Sequence, residues 1–331
     1  MAINTNEIAA TTVQHIMSEL PDALMKANAL WQKIANEQAM YVSGGTNIQF
    51  PVKLIPNAAQ GFISGGAAAV NVNPSQQNVY GTLNWKYFNS NVSFTLEDFT
   101  QTQDAKEAVL DFIEAKKNGG LMDAIRALTV ALHGSATTDP QSFNGLKDIV
   151  AASGTAYAGL LDTDYATGSY LPLIDGTTQV VSYENIAPSI QKIKARVQQF
   201  GENAQYPIDM GFANAAVMGS FMASEQAKQR FYESTMLSTG FEGMKVNGIN
   251  LYLDDNTPGT QDGSTADNYL YIFPSKAFKM AYKYGLKGKT SPLDGEVRIP
   301  NQPVMSNQSY FAGNLVCPLR RSILVFKTLV A

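Results

Sequence analysis

The chain has 331 residues, 45% hydrophobic and 16% charged, with 24 basic against 28 acidic side chains and a net charge of −4. That balance excludes a protein that grips nucleic acid through a basic surface, because displacing counterions from phosphate needs clustered Lys and Arg. No window approaches the ~18 unbroken apolar residues of a membrane span, and a single cysteine, Cys317, excludes any disulfide within the chain.

At ~150 residues per domain the length allows two domains, or one with large insertions. The N-terminus, Met1 to Glu7, has no basic region followed by an apolar core, so no secretory signal is expected and the protein is expected to be soluble and made in a cytoplasm. Residues 5–36 read as helical, with Ile8, Val13, Ile16, Leu20, Leu24, Leu30 and Ile34 among the apolar positions. Pro21 divides the segment, since proline removes a helix hydrogen bond. Either an amphipathic helix pair on the core or an arm docked on a neighbouring subunit fits this pattern.

Residues 44–98 read as strand. Asn47 to Leu54 alternates polar and apolar at period two, and Val79 to Phe88 and Val92 to Leu96 are rich in β-branched and aromatic residues. Between them, Ile55 to Gln77 is loaded with Gly, Ala, Asn, Ser and Pro. A two-stranded ribbon with a long small-residue tip is marginal alone, and a structureless excursion of roughly 20 residues is unusual unless functional. Such an arm is expected to be ordered by lying on something else, which points to contact between copies of the chain.

A long amphipathic helix is expected over about 104–133, where Val109, Phe112, Ile113, Leu121, Ile125, Leu128 and Leu132 form one stripe. Gly119-Gly120 predicts a bend or break in it, each glycine costing about 1 kcal/mol relative to alanine. His133 at its end reads as a capping or surface residue. Residues 134–182 read as loop, with Asp162, Asp164 and Asp175 in turns; they lack the alternation and closing Glu of a calcium loop.

A different texture begins at Tyr183. Ile186, Ile190, Ile193, Val197 and Phe200 step along one helical face, with Asn185 as the expected cap and Pro188 tolerated in the first turn. A strand is expected at Ile208 to Phe212, helix from Asn214 to about Leu237, and strands at Lys245 to Leu253 and Tyr269 to Phe273. The tail returns to strand at Gly295 to Pro300, Ser309 to Cys317 and Ser322 to Lys327. Arg320-Arg321 falls in the turn before the last strand, where solvation or an intersubunit carboxylate clamp are the two readings.

Chemistry is sparse. Gly285 to Thr290 ends like a phosphate-binding loop, but Lys283 stands where its first glycine belongs and Pro292 interrupts the helix that should follow. Dinucleotide fingerprints, zinc-ligand clusters and nucleophile elbows are absent from the sequence. Cys317 would need a nearby base, and only His15 and His133 exist, so it reads as a buried small hydrophobe. No catalytic, cofactor-binding or metal site residue is assigned, and no cofactor is expected.

The order of elements resembles the major capsid protein of tailed bacteriophages, the Hong Kong 97-type fold. Trp85-Lys86-Tyr87-Phe88 leading into Val92 to Glu97 looks like the end of that family's extended loop. Leu128 to Gly134, followed by Asn144-Gly145-Leu146-Lys147-Asp148-Ile149-Val150, looks like its spine helix and following segment, and Ala312 to Arg321 is similar to its closing strands. The resemblance implies an α+β capsid fold with an N-terminal helical arm at 1–46 and an extended β-hairpin loop at 47–98. It further implies a peripheral domain at 99–182 with 286–331, carrying the spine helix at about 104–133, and an axial α+β domain at 183–285. The chain would be structural and not an enzyme, assembling with itself into the pentamers and hexamers of an icosahedral head around double-stranded DNA.

By the same resemblance, the hairpin loop would lie over the adjacent subunit. With the spine helix beginning near residue 104, no room is left for an N-terminal scaffolding extension, so a separate scaffolding protein and a portal are the expected partners. A decoration protein is a further partner, packaged DNA is touched non-specifically and no membrane is involved. The chain would reside in the virion, after assembly in a host bacterial cytoplasm. Two alternatives stand beside this: an encapsulin-like cellular nanocompartment shell, and an enzyme whose carboxylates, such as Asp254 and Glu296, converge in space.

Overall fold

A computed structural model describes residues 29–31, 33–34, 38–55, 77–95, 106–165, 169–200, 205–225, 243–254, 256–257, 268–283, 297–298 and 304–330. Its first strands are β1 (Ala39–Val42), β2 (Asn47–Lys53), β3 (Asn78–Asn84) and β4 (Lys86–Thr95). Helix α1 (Lys106–His133) and the short α2 (Leu146–Ile149) precede β5 (Leu173–Asp175), β6 (Gln179–Val180) and α3 (Tyr183–Gln199). Then come β7 (Met210–Ala213), α4 (Ala215–Glu225), β8 (Gly243–Val246), β9 (Ile249–Leu253) and β10 (Asn268–Phe273). The chain closes with β11 (Lys279–Lys283), β12 (Val297–Arg298), β13 (Val304–Val316) and β14 (Leu324–Val330). Most of the N-terminal helical reading, the ribbon tip at 56–76 and the Gly285 to Thr290 stretch lie outside the described residues.

The chain forms two compact units, one from segments 1–45, 85–145 and 279–315, the other from 46–84, 146–278 and 316–331. In the first unit, one sheet runs β1-β11-β13-β12, and β4 pairs antiparallel with β13 from Lys86↔Gly313 to Thr95↔Val304. Its aromatic core gathers on Phe311, whose ring centroid lies 5.9 Å from Trp31, 5.6 Å from Phe143 and 5.5 Å from Tyr282. Such tilted and edge-on pairs add to the apolar area they bury.

Helix α1 runs unbroken through Gly119-Gly120, so the expected break is absent. The reason is steric. A Cβ on Gly120 would come 2.5 Å from Val92 Cγ2, so this glycine is what lets the helix lie close on β4, whereas a Cβ on Gly119 would meet nothing within 4 Å. Packing has overridden helix propensity. His133 is 3% exposed, so the surface reading fails: it is buried at the end of α1 together with Leu128, Thr129 and Leu132, while Val130 stays exposed.

The second unit is built on a mixed sheet ordered β5-β14-β10-β7-β9-β8, with β6 also on β14. Ile186, Ile190, Ile193 and Val197 of α3 bury their side chains with Val217, Met218 and Phe221 of α4 and with Leu251, Leu270, Ile272, Leu324 and Phe326 of the sheet. Each fully buried aliphatic contributes ~1.5–3 kcal/mol. Ser182, rather than Asn185, caps α3: its hydroxyl accepts the Asn185 N–H at 3.4 Å. Asn214 caps α4 by accepting the Val217 N–H at 3.0 Å.

Lys245 to Leu253, expected as one strand, is a hairpin. Asn247 (φ 50°) and Gly248 (φ 79°) sit in the left-handed region and join β8 to β9, the Asn-Gly chemistry of a tight primed turn. Strand β14 pairs with β10 and β5 of the second unit, and β11 pairs with β1 in the first. Periodicity specifies a strand's faces; its partner is set by long-range packing that no local pattern encodes.

Candidate functional site

The ribbon β2–β3 alternates strictly. Ile48, Phe50, Val52, Leu54 and Leu83 are buried, while Asn47, Gln49, Pro51, Lys53, Asn78 and Tyr80 face out. Its inner face is buried within the chain itself, so the stem does not wait for a neighbouring copy to be ordered. The Thr82 N–H donates to the Ala158 carbonyl at 2.9 Å, and a Cβ on Gly81 would fall 2.7 Å from the Phe50 ring and 3.2 Å from Ala158. On the outer face, Tyr80 is 66% exposed and pairs directly with Pro51.

Arg320 and Arg321 occupy a 3₁₀ turn, Arg320–Ser322, and both are buried, so neither the solvated reading nor an exposed clamp describes them. Arg320 Nε donates to the Ile149 carbonyl at 2.7 Å and Nη2 to the Ala151 carbonyl at 3.4 Å. Its guanidinium carbon lies 5.4 Å from the Tyr157 ring and 4.8 Å from the Tyr170 ring. Aromatic faces and carbonyl dipoles surround this cation, with no carboxylate paired to it among the described residues. Arg321 Nη1 donates to the carbonyls of Lys53 (3.3 Å) and Ser169 (3.0 Å), its guanidinium 4.3 Å over the Phe200 ring. Phe200 thus leaves the buried α3 stripe to serve as a platform.

Two segments that carried the resemblance meet in the first unit. Asn314 is fully buried; its Oδ1 accepts the Asn144 N–H and the Leu315 N–H, each at 2.9 Å, and its Nδ2 donates to Asn144 Oδ1 at 2.8 Å. Next door, a Cβ on Gly145 would lie 2.5 Å from the Leu132 carbonyl oxygen and 2.6 Å from that of Gly134. The junction after α1 is therefore fixed by one asparagine pair and one close backbone approach. A polar Asn inside the apolar run Phe311 to Val316 was the visible signal for it.

The described acids serve turns. Asp254 is buried and its Oδ1 accepts the N–H and Nδ2 of Asn256 at 3.0 and 3.3 Å; Glu296 lies outside the described residues. Asp162 accepts Ser153 Oγ at 2.6 Å and the Gly154 N–H at 2.9 Å, which hold its carboxyl below the usual range. Burial works to raise Asp175, but hydrogen bonds from Thr177, Ser189 and Gln179 outweigh it and hold this carboxyl low as well. Cys317 is fully buried, and burial pushes its thiol up to about 12, so it is not a thiolate nucleophile in this fold. Among the described residues no three His, Cys, Asp or Glu side chains gather to hold a metal, and no helix is long and apolar enough to cross a membrane.

What the geometry offers is therefore surface: the outward face of the ribbon, with exposed Tyr41, Tyr87 and Met122 in the first unit and Val180 in the second. Neither a protein-family model nor a curated protein matches the sequence. Solved structures do match. The capsid asymmetric unit of cyanophage A-1(L) superposes with a TM-score of 0.63 at 14% identity, covering 95% of this chain and 93% of that one. The capsid of the native GTA particle gives 0.57 at 13% identity, covering 90% of each. The holo-SrpI encapsulin complex from Synechococcus elongatus PCC 7942 gives 0.53 at 11% identity, covering 91% and 88%.

Proposed function

We propose, from a chain that has the Hong Kong 97-type capsid fold of tailed bacteriophages, that it is the major capsid protein of a phage head. The observation that carries this is a fold shared with capsid subunits over nine-tenths or more of the chain. In this role the subunit assembles with itself into pentamers and hexamers of an icosahedral shell around double-stranded DNA. Closure comes from many modest interfaces made at once, each weak alone. The ribbon tip reaches the adjacent subunit, and the exposed apolar side chains meet other copies. A scaffolding protein and a portal are the partners in assembly, and a decoration protein is a third. DNA is touched as packaged contents, consistent with a charge of −4 and no basic patch in the sequence.

A second reading, a cellular nanocompartment shell, is favoured by the likeness to the encapsulin. Purification separates the two: an enclosed enzyme co-purifies with a nanocompartment, whereas a phage head associates with portal and scaffolding proteins. The ribbon's part is tested by deleting Ala58 to Gln77. The expected product is a folded subunit that cannot close shells; normal shells by electron microscopy would remove the ribbon from the assembly mechanism.

A further inference from the structure

We infer that Arg321 is the positioning residue that fixes the direction of the ribbon β2–β3 on its unit. The consequence for assembly rests on the shell reading above; the positioning itself does not. Among the described residues, two hydrogen bonds stand out as fastening the ribbon to its unit. Toward its root, the Thr82 N–H holds the Ala158 carbonyl at 2.9 Å. Toward its tip, the carbonyl of Lys53, the last residue of β2, receives Arg321 Nη1 at 3.3 Å. Thr82 pairs with Gln49, four residues before Lys53, so the fastenings stand about 13 Å apart at ~3.3 Å per residue.

Two separated fastenings set a direction, whereas one leaves a pivot. The burial of Phe50, Val52 and Leu54 holds the ribbon down, but apolar burial is non-directional. The guanidinium supplies direction, because its donors lie in a rigid planar fork. The same Nη1 reaches the Ser169 carbonyl at 3.0 Å, and Phe200 at the end of α3 supports the group from 4.3 Å. Arg321 itself cannot drift. Its turn is locked by the neighbouring Arg320, bonded to Ile149 and Ala151 and lodged against Tyr157 and Tyr170. Ribbon, loop and helix end thus converge on one side chain.

The test is hydrogen exchange on the full unassembled chain. Its readouts are the amides of Leu54 and Ile55, which donate to the Gln77 carbonyl at 3.3 and 3.4 Å, with the β10–β14 amides as internal reference. Arg321→Ala is expected to speed the Leu54 and Ile55 amides at least tenfold while leaving the reference unchanged. Arg321→Lys, which keeps charge but not the fork, is expected to do the same. Phe200→Leu, at an exposed site, keeps the test open should Arg321→Ala not fold, and is expected to act in the same direction with smaller size. Unchanged exchange at Leu54 and Ile55 in the folded variants, or equal acceleration in the sheet, would overturn the proposal. Assembly is read separately: if the unaltered chain never forms shells, the shell reading fails while the exchange result still decides the role of Arg321.

Discussion

The paired glycines of α1 offer a sharp test of how the first unit is packed. Replacing either by alanine gains helix propensity, about 1 kcal/mol in an exposed interior position. At Gly119 nothing lies within 4 Å of the new Cβ, so Gly119→Ala should raise stability by roughly 0.5–1 kcal/mol. At Gly120 the new Cβ would lie 2.5 Å from Val92 Cγ2, a clash that must displace either the helix or β4. Overpacking of this kind costs about 1–3 kcal/mol, so Gly120→Ala should be neutral to about 2 kcal/mol destabilising after the propensity gain. Val92→Ala removes the clashing methyl, and the double variant should recover most of that loss, a coupling of about 1–3 kcal/mol. Urea unfolding of the unassembled subunit, read by midpoint at constant m-value, measures all four proteins. If Gly119→Ala and Gly120→Ala stabilise equally, helix α1 does not rest on Val92 and the described packing is wrong.

Other consequences follow from the buried groups. Asn314→Ala removes the acceptor for the Asn144 and Leu315 N–H groups, the latter buried, and should cost roughly 1–3 kcal/mol; a loss below about 0.5 kcal/mol by denaturant titration would contradict that pairing. Asp175 is partly desolvated yet held low by its hydrogen bonds, so its folded value lies below the unfolded ~3.9. Its stabilisation is present above that value and is lost as pH falls from about 5 through the folded value. Asp175→Asn should therefore flatten the acid limb of a stability-versus-pH curve, and an unchanged limb would refute the assignment. Cys317, buried with its thiol pushed up to about 12, should not react with a disulfide reagent at pH 8 until the chain is unfolded; rapid reaction of the native protein would mean the closing strands are open.

Elements with strong local patterns were legible. The α3 stripe of Ile186, Ile190, Ile193 and Val197 is buried as its spacing predicts, and β2 shows the alternation of Asn47 to Leu54. The α+β capsid fold was readable from their order, and the comparisons agree with it. What failed to show was non-local. Nothing in Leu324–Val330 tells that it inserts between β5 and β10, because a buried strand of this kind matches many partners. Gly119-Gly120 looked like a helix break, because its reason, a methyl of Val92, lies on another element. Arg320-Arg321 looked like a solvated turn, because the backbone carbonyls and aromatic faces that Arg320 and Arg321 meet come from segments distant in sequence. The Asn247-Gly248 hairpin, by contrast, carried an available signal in the dipeptide itself.

The central claim is that this chain builds shells. Light scattering on the purified protein, with negative-stain microscopy of the same fraction, tests it most directly. The account predicts hollow shells, or rings of five and six subunits, on concentration or on addition of a scaffolding protein. A monomer or dimer that stays so at high concentration and with scaffold present would contradict it.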